Sequence, residues 1–143
     1  MKVSEGPILL QYELPASVSK TWSALVIWEE MIQWFFADIP AFRPEVGFRT
    51  SFPVHSEGRT FTHQWKIVAV EQEQSITYEW NYGEYPGNAF LTFSLAPINS
   101  QSTRVEIKMD ILEDFPDEIP EFQRSSCIGG WNYFMDRLKK YLE

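Results

Sequence analysis

The chain ends in an amphipathic helix that follows an unbroken run of strand-like segments, and this order limits its fold more than any other feature. Beyond Pro120, the residues Cys127, Trp131, Phe134, Leu138 and Tyr141 recur at spacings of three and four, the period of a single helix face. Asp136, Lys139, Lys140 and Glu143 fall on the other face. A sheet made first and one long helix made last must bury their apolar faces on each other. Trp131, Phe134 and Leu138 are the predicted points of attachment. Gly129-Gly130 interrupts this helix, at a cost of about 1 kcal/mol per glycine relative to alanine. The pair therefore calls for close backbone approach to the sheet, a kink, or room left beside Trp131.

Upstream, Ile8 to Leu14 alternates as a strand and stops at Pro15. Ser17 or Ser19 caps a short helix with the stripe Val18, Trp22 and Leu25, and a second passes through Trp28, Met31, Ile32 and Phe35. A loop follows from Ala37 to Gly47. Five strands are then predicted, Phe48 to Val54, Thr60 to Glu71, Ser75 to Tyr82, Ala89 to Ala96 and Thr103 to Ile111. Short turn-forming separators, such as Ser56-Glu57-Gly58 and Pro97 to Gln101, argue for an antiparallel meander. Ile76, Tyr78 and Trp80 share one parity while Thr77 and Glu79 share the other, so one face is apolar and one is wet. Within Thr60 to Glu71 the parity of Phe61, His63, Trp65 and Ile67 gives way to that of Val68 and Val70. A bulge near Ile67-Val68 reconciles the two.

At 143 residues the chain is sized for a single domain, residues 1–143. Its charge of −8, from 20 acidic against 12 basic residues, argues against nucleic acid or an anionic lipid surface as partner. One cysteine permits neither an internal disulfide nor a cysteine metal cage. No apolar run approaches the ~20 residues that span a bilayer, and Glu5 and Pro7 break any signal peptide. A cytoplasmic protein without membrane insertion is expected. Aromatic residues reach 16%, which means either an oversized packed core or an aromatic-lined cavity.

Ala24 to Phe36 with its Gln33-Trp34-Phe35, Phe42-Arg43-Pro44-Glu45-Val46-Gly47-Phe48-Arg49, and Ile76-Thr77-Tyr78-Glu79-Trp80 carry a resemblance, in that order. Thr103-Arg104-Val105-Glu106-Ile107, Phe115-Pro116-Asp117, and Gly130-Trp131 with Leu138, Tyr141 and Leu142 extend it over nearly the whole chain. Together they resemble the family named after the activator of heat-shock-protein-90 ATPase, in the START and birch-pollen-allergen (SRPBCC) superfamily. Val46-Gly47 stands where that family more often has paired glycines, a departure that bears on a turn. The resemblance implies an α+β helix-grip fold in the order β-α-α-β-β-β-β-β-α, a six-stranded antiparallel sheet curved around the C-terminal helix. It also implies a cavity between sheet and helix, used in relatives for lipids, polyketides, flavonoid-like and other apolar molecules.

His63 is the best catalytic candidate, because its parity aims it inward beside Phe61 and Trp65; a partly exposed strand histidine is the plainer alternative. His55 falls in a turn. Two histidines and one cysteine offer no zinc spacing, so no metal is expected. Cys127 sits mid-helix on the apolar stripe and reads as a small core residue rather than a nucleophile. No serine-hydrolase, phosphate-loop or dinucleotide fingerprint occurs, so neither a catalytic constellation nor a cofactor is expected. What remains is an apolar lining, His63, Trp65, Tyr78, Trp80, Phe93, Met109, Cys127, Trp131 and Met135, with tyrosine hydroxyls, His63 and Asn132 as orienting groups.

The expected function is binding of a hydrophobic or aromatic small molecule, whether lipid, flavonoid or polyketide-like. A protein-interaction role resembling the chaperone activators comes second, because this length leaves no room for the further chaperone-binding domain of the eponymous members. A cyclase, dehydratase or hydrolase using His63 with a tyrosine is the third reading.

Overall fold

Pro15 ends the first strand, and Ser17 starts the first helix, its Oγ accepting the Lys20 amide N–H at 3.2 Å. The computed structural model describes residues 1–143. Its elements are β1 (Ile8–Leu14), α1 (Val18–Val26), α2 (Trp28–Trp34), β2 (Arg49–Ser56), β3 (Arg59–Glu71), β4 (Ser75–Tyr82), β5 (Asn88–Asn99), β6 (Ser102–Glu113) and α3 (Arg124–Leu142). Extended backbone at Ile27 separates α1 from α2, whose first turn carries Glu29 and Glu30, well placed against the positive end of the helix dipole. The Trp34 indole N–H reaches back to the Ala24 carbonyl at 2.8 Å in a buried bond, so α2 folds onto α1.

All six strands form one antiparallel sheet in the order β1-β6-β5-β4-β3-β2. β1 and β2 are the two edges, and α1 with α2 carries the chain from one to the other. α1 touches β5 and β6, α3 touches β1, and both short helices touch α3, so the helices share the apolar face of the sheet. The expected helix-grip architecture is the one observed.

Register follows the side-chain pattern. In β3, Phe61, His63, Trp65 and Ile67 are buried, and the pairing with β4 slips between Ile67 and Ala69. The slip turns Val70 back toward the core, as the change of parity requires. Pairing beyond Pro97 is not apparent from the sequence. β5 runs on to Asn99, with the irregularity between Pro97 and Asn99 absorbing the missing proline N–H.

The last helix starts later than the sequence suggests. Pro120–Phe122 is a separate 3₁₀ turn and Gln123 is extended, so Cys127 makes the first helical hydrogen bond, to Gln123 at 3.1 Å, rather than lying mid-helix. The buried stripe of α3 is Trp131, Met135 and Leu138, with Phe134 half-buried and packed against the core. Tyr141 leaves the stripe. It is exposed, its hydroxyl donates to Glu30 Oε1 at 3.0 Å, and Leu142 packs inward instead.

Gly87, between β4 and β5, has φ +122°, and a Cβ there would overlap the ring of buried Phe115. Gly87→Ala is expected to lower stability by roughly 1–3 kcal/mol in denaturant unfolding. Gly129→Ala, at a helical position with nothing within 4 Å of the added methyl, should raise it by about 1 kcal/mol.

Candidate functional site

Between the start of α3 and the sheet lies a cavity of about 350 Å³, and 12 of its 16 lining residues are hydrophobic. Strand parity builds one wall: Phe61 and His63 from β3, Trp80 and Tyr82 from β4, Met109 from β6. Cys127, Gly130, Trp131 and Phe134 of α3 form the opposite wall, and Phe115 and Phe122 close it from the connection between β6 and α3. Met1 also lines it; its ammonium donates to the Phe122 carbonyl at 2.7 Å and faces Asp117 at 3.6 Å. The polar margin is Ser56 and Glu121, and the Glu121 carboxylate is held by the Arg59 guanidinium at 3.3 Å.

The paired glycines find their reason here. Neither approaches other backbone, since nothing lies within 4 Å of a Cβ built on either one. α3 is one unbroken element through both. Gly130 faces the cavity beside Trp131, so its missing side chain is part of the cavity's volume.

Five of the nine residues expected at the lining are there, namely His63, Trp80, Met109, Cys127 and Trp131. Trp65, Tyr78, Phe93 and Met135 do not line this cavity; all four are buried, and Trp65 borders a second recess instead. Other rings cover three of them: Phe35, itself stacked on Trp34 at 4.7 Å, lies on Trp65 at 5.5 Å, Phe42 meets Tyr78 at 6.0 Å, and Trp131 meets Phe93 at 5.6 Å. These rings fill the end of the interior under α2 and leave the other end open. Asn132 is exposed and accepts a hydrogen bond from the Tyr12 hydroxyl at 2.6 Å, outside the cavity. Phe61 and Tyr82 were legible by parity with His63 and Trp80. Phe115 and Phe122 lie in irregular chain, where no periodicity points inward.

A second recess, of about 580 Å³, lies along β2, β3 and β4 beneath Pro40 and Ala41, with Arg49, Gln64, Lys66, Glu79 and Asn81 among its walls. Its walls are mostly polar, so the smaller apolar cavity is the better enclosure for an apolar molecule.

His63 is 5% exposed, not the partly exposed strand histidine of the plainer reading. Burial drives its pKa down to about 4, against the opposing pull of the Phe61 carbonyl and the Glu84 charge. The imidazole is therefore neutral at pH 7. Its Nδ1 lies 3.0 Å from the Phe61 carbonyl oxygen. A carbonyl only accepts, so Nδ1 carries the proton and Nε2 keeps a lone pair. Burial likewise pushes the Cys127 thiol up to about 11, which leaves it a thiol and a poor nucleophile. Cys127 Sγ lies 3.4 Å, and the Trp131 indole nitrogen 3.2 Å, from Met109 Sδ. Burial raises the Tyr82 hydroxyl as well. Exposed His55, at the end of β2, contacts Thr60 Oγ1 at 3.1 Å away from the cavity. No three His, Cys, Asp or Glu side chains converge as a metal cluster.

The family model described as Activator of Hsp90 ATPase homolog 1-like protein matches residues 15–143. Among solved structures, DynU16, from the dynemicin biosynthetic locus, superposes with a TM-score of 0.74 at 19% identity, over 96% of this chain and 47% of that one. This chain thus spans about half the length of DynU16. Protein CV1439 from Chromobacterium violaceum gives a TM-score of 0.77 at 17% identity, covering 97% and 98% of the two chains. CalU16 from Micromonospora echinospora gives 0.68 at 19%, covering 96% and 76%. A search of curated proteins found no significant match. At such identities the likeness shows the fold alone.

The histidine sets a pH dependence. Unfolded, His63 protonates near 6.5, while folded it does so at about 4. The unfolded chain binds more protons between those values, so stability falls as pH drops from 6.5 to 4. The loss attributable to His63 approaches about 3 kcal/mol. Thermal unfolding across that window should show it, and His63→Phe should flatten the decline.

Proposed function

Because the chain belongs to the Activator of Hsp90 ATPase homolog 1-like family, we propose that it binds a hydrophobic or aromatic small molecule between the sheet and α3, with no chemistry required. The observation that carries this reading is the apolar cavity, floored by Met109 and walled by Phe61, Trp80, Phe122, Trp131 and Phe134. Apolar walls with a few convergent polar groups are the usual make-up of a small-molecule site. His63, Trp80, Met109, Cys127 and Trp131 are the proposed contacts from the original nine. Trp65 and Tyr78 pack against Trp80, and Phe93 packs against Trp131, while Met135 is buried elsewhere on the inner face of α3.

Catalysis is the weaker reading. His63, with a pKa of about 4, is a feeble base at pH 7, well below the range in which a general base works best. It is suited to accepting a hydrogen bond. A chaperone partner rests on the family's name, whereas the cavity is a feature of this chain. One fold neighbour comes from a biosynthetic locus, but fold likeness does not transfer a ligand. A cytoplasmic location belongs to the same proposal, and no helix is long and apolar enough to cross a membrane.

A thermal-shift and native-mass screen against fatty acids, flavonoids and polyketide-like compounds tests the reading. At least one class should raise the melting midpoint. Gly130→Leu, which fills the cavity beside Trp131, should weaken that ligand about tenfold or more while the protein stays folded. Silence across the screen, or an unchanged affinity in the variant, would overturn it.

A further inference from the structure

The apolar cavity has one long side that the packing of the helices leaves unsealed. α3 packs against β1 and both short helices but not along β2, and β2 is an edge strand paired with β3 alone. Two banks therefore face each other. Val54 and Ser56 stand on the β2 bank, and Gly130 and Phe134, with Glu121 before them, on the α3 bank; all five line the cavity and are half-buried. Phe61, His63, Trp80, Phe122 and Trp131 lie deeper and are buried. The gap is bridged at each end. At one end Phe36 is wedged between Phe52 of β2, at 5.3 Å, and Phe134 of α3, at 4.7 Å, and packs on His63 at 4.8 Å. At the other end Arg59 Nη1, at the start of β3, donates to the Glu121 carboxylate oxygens at 3.3 and 3.5 Å. This ion pair ties the tip of the β2–β3 hairpin to the 3₁₀ turn before α3.

We infer that the cavity opens to solvent between β2 and α3, and that the Arg59–Glu121 pair is a latch controlling passage through this mouth. The two bridges differ in what parts them. Moving Phe36 breaks its ring contacts with Phe52, His63 and Phe134 and brings apolar surface into water. Parting Arg59 from Glu121 exchanges a polar contact for hydration. Their side chains are already 35% and 23% exposed, and pairs in such settings shift an equilibrium by about fivefold at most. The hairpin turns tightly at Glu57-Gly58, both at positive φ, which keeps its two strands together at the tip, so the tip lifts as one piece.

The inference rests on the cavity proposed above as the binding site and adds how that site is entered. Cys127 supplies a reporter that needs no ligand. It is the one cysteine of the chain, it lines the cavity, and its Sγ lies 3.4 Å from Met109 Sδ on the cavity floor. A reagent that passes the mouth meets this thiol.

The rate at which Cys127 of the full chain reacts with a neutral dipyridyl disulfide, at one fixed pH, tests the latch. Arg59→Met and Glu121→Gln should each raise the rate about two- to fivefold. Combining them should add nothing, because both remove one contact. Arg59→Glu together with Glu121→Arg should restore the slow rate. Added salt should speed the native chain but not the double variant. The shared direction separates a latch from a change of local charge: were only the thiolate fraction altered, loss of the cation would slow the reaction and loss of the carboxylate would speed it. Dilute urea should leave the rates unchanged, whereas reaction through global unfolding would depend on it steeply. If a variant does not fold, the salt dependence of the native chain decides. Opposite effects of the two single variants, rates equal to the native one, or a native rate indifferent to salt overturn the latch. None of these results touches the binding reading, which stands or falls on the ligand screen.

Discussion

Trp131 fastens the last helix to the sheet, and the rest of the interior is arranged around that contact. Its ring meets Phe35 at 5.7 Å, Trp80 at 5.8 Å and Phe93 at 5.6 Å, and its N–H points to the Met109 sulfur at 3.2 Å. Those partners come from the end of α2, from two central strands and from β6. One indole thus ties α3 to the end of α2 and to three strands of the sheet while remaining 4% exposed. Aromatic contacts of this kind add about 0.5–1.5 kcal/mol each beyond the area they bury. Buried Leu138 and Met135 continue the attachment along the helix.

The same side chain divides the interior in two. On one side, the stacked rings of Trp34, Phe35 and Trp65 leave little room. On the other, α3 has not yet begun at Pro120–Phe122, Gly130 carries no side chain, and space remains. The high aromatic content therefore fills the core at one end and lines a cavity at the other. Glycine in a helix costs stability. At Gly130, with no neighbour to demand its absence of a Cβ, that cost is matched only by the room it leaves.

The polar groups of the cavity share one physical setting. Low polarity holds His63 neutral and Cys127 a thiol, so these two side chains bring hydrogen-bonding atoms rather than charges to a wall whose charged groups are the Met1 ammonium and the Glu121 carboxylate. The Phe61 carbonyl fixes the tautomer of His63 and leaves its Nε2 as an acceptor.

Periodicity alone determined the six strands, the bulge after Ile67, the helix carrying Trp131 and Leu138, and the inward parity of His63 and Trp80, because side-chain direction repeats every two residues in a strand and every 3.6 in a helix. It is silent where the chain is irregular: no period aims Phe115 and Phe122 at the cavity, and the helix expected from near Pro120 starts at Arg124. Which inward-facing residues border empty space was decided only by the tertiary structure. Trp65 and Trp80 share a parity and a face across the β3–β4 pair, yet only Trp80 borders the cavity. Occupancy depends on what arrives from elsewhere in the sequence, here Phe35 over one and Gly130 across from the other, and no local pattern records that.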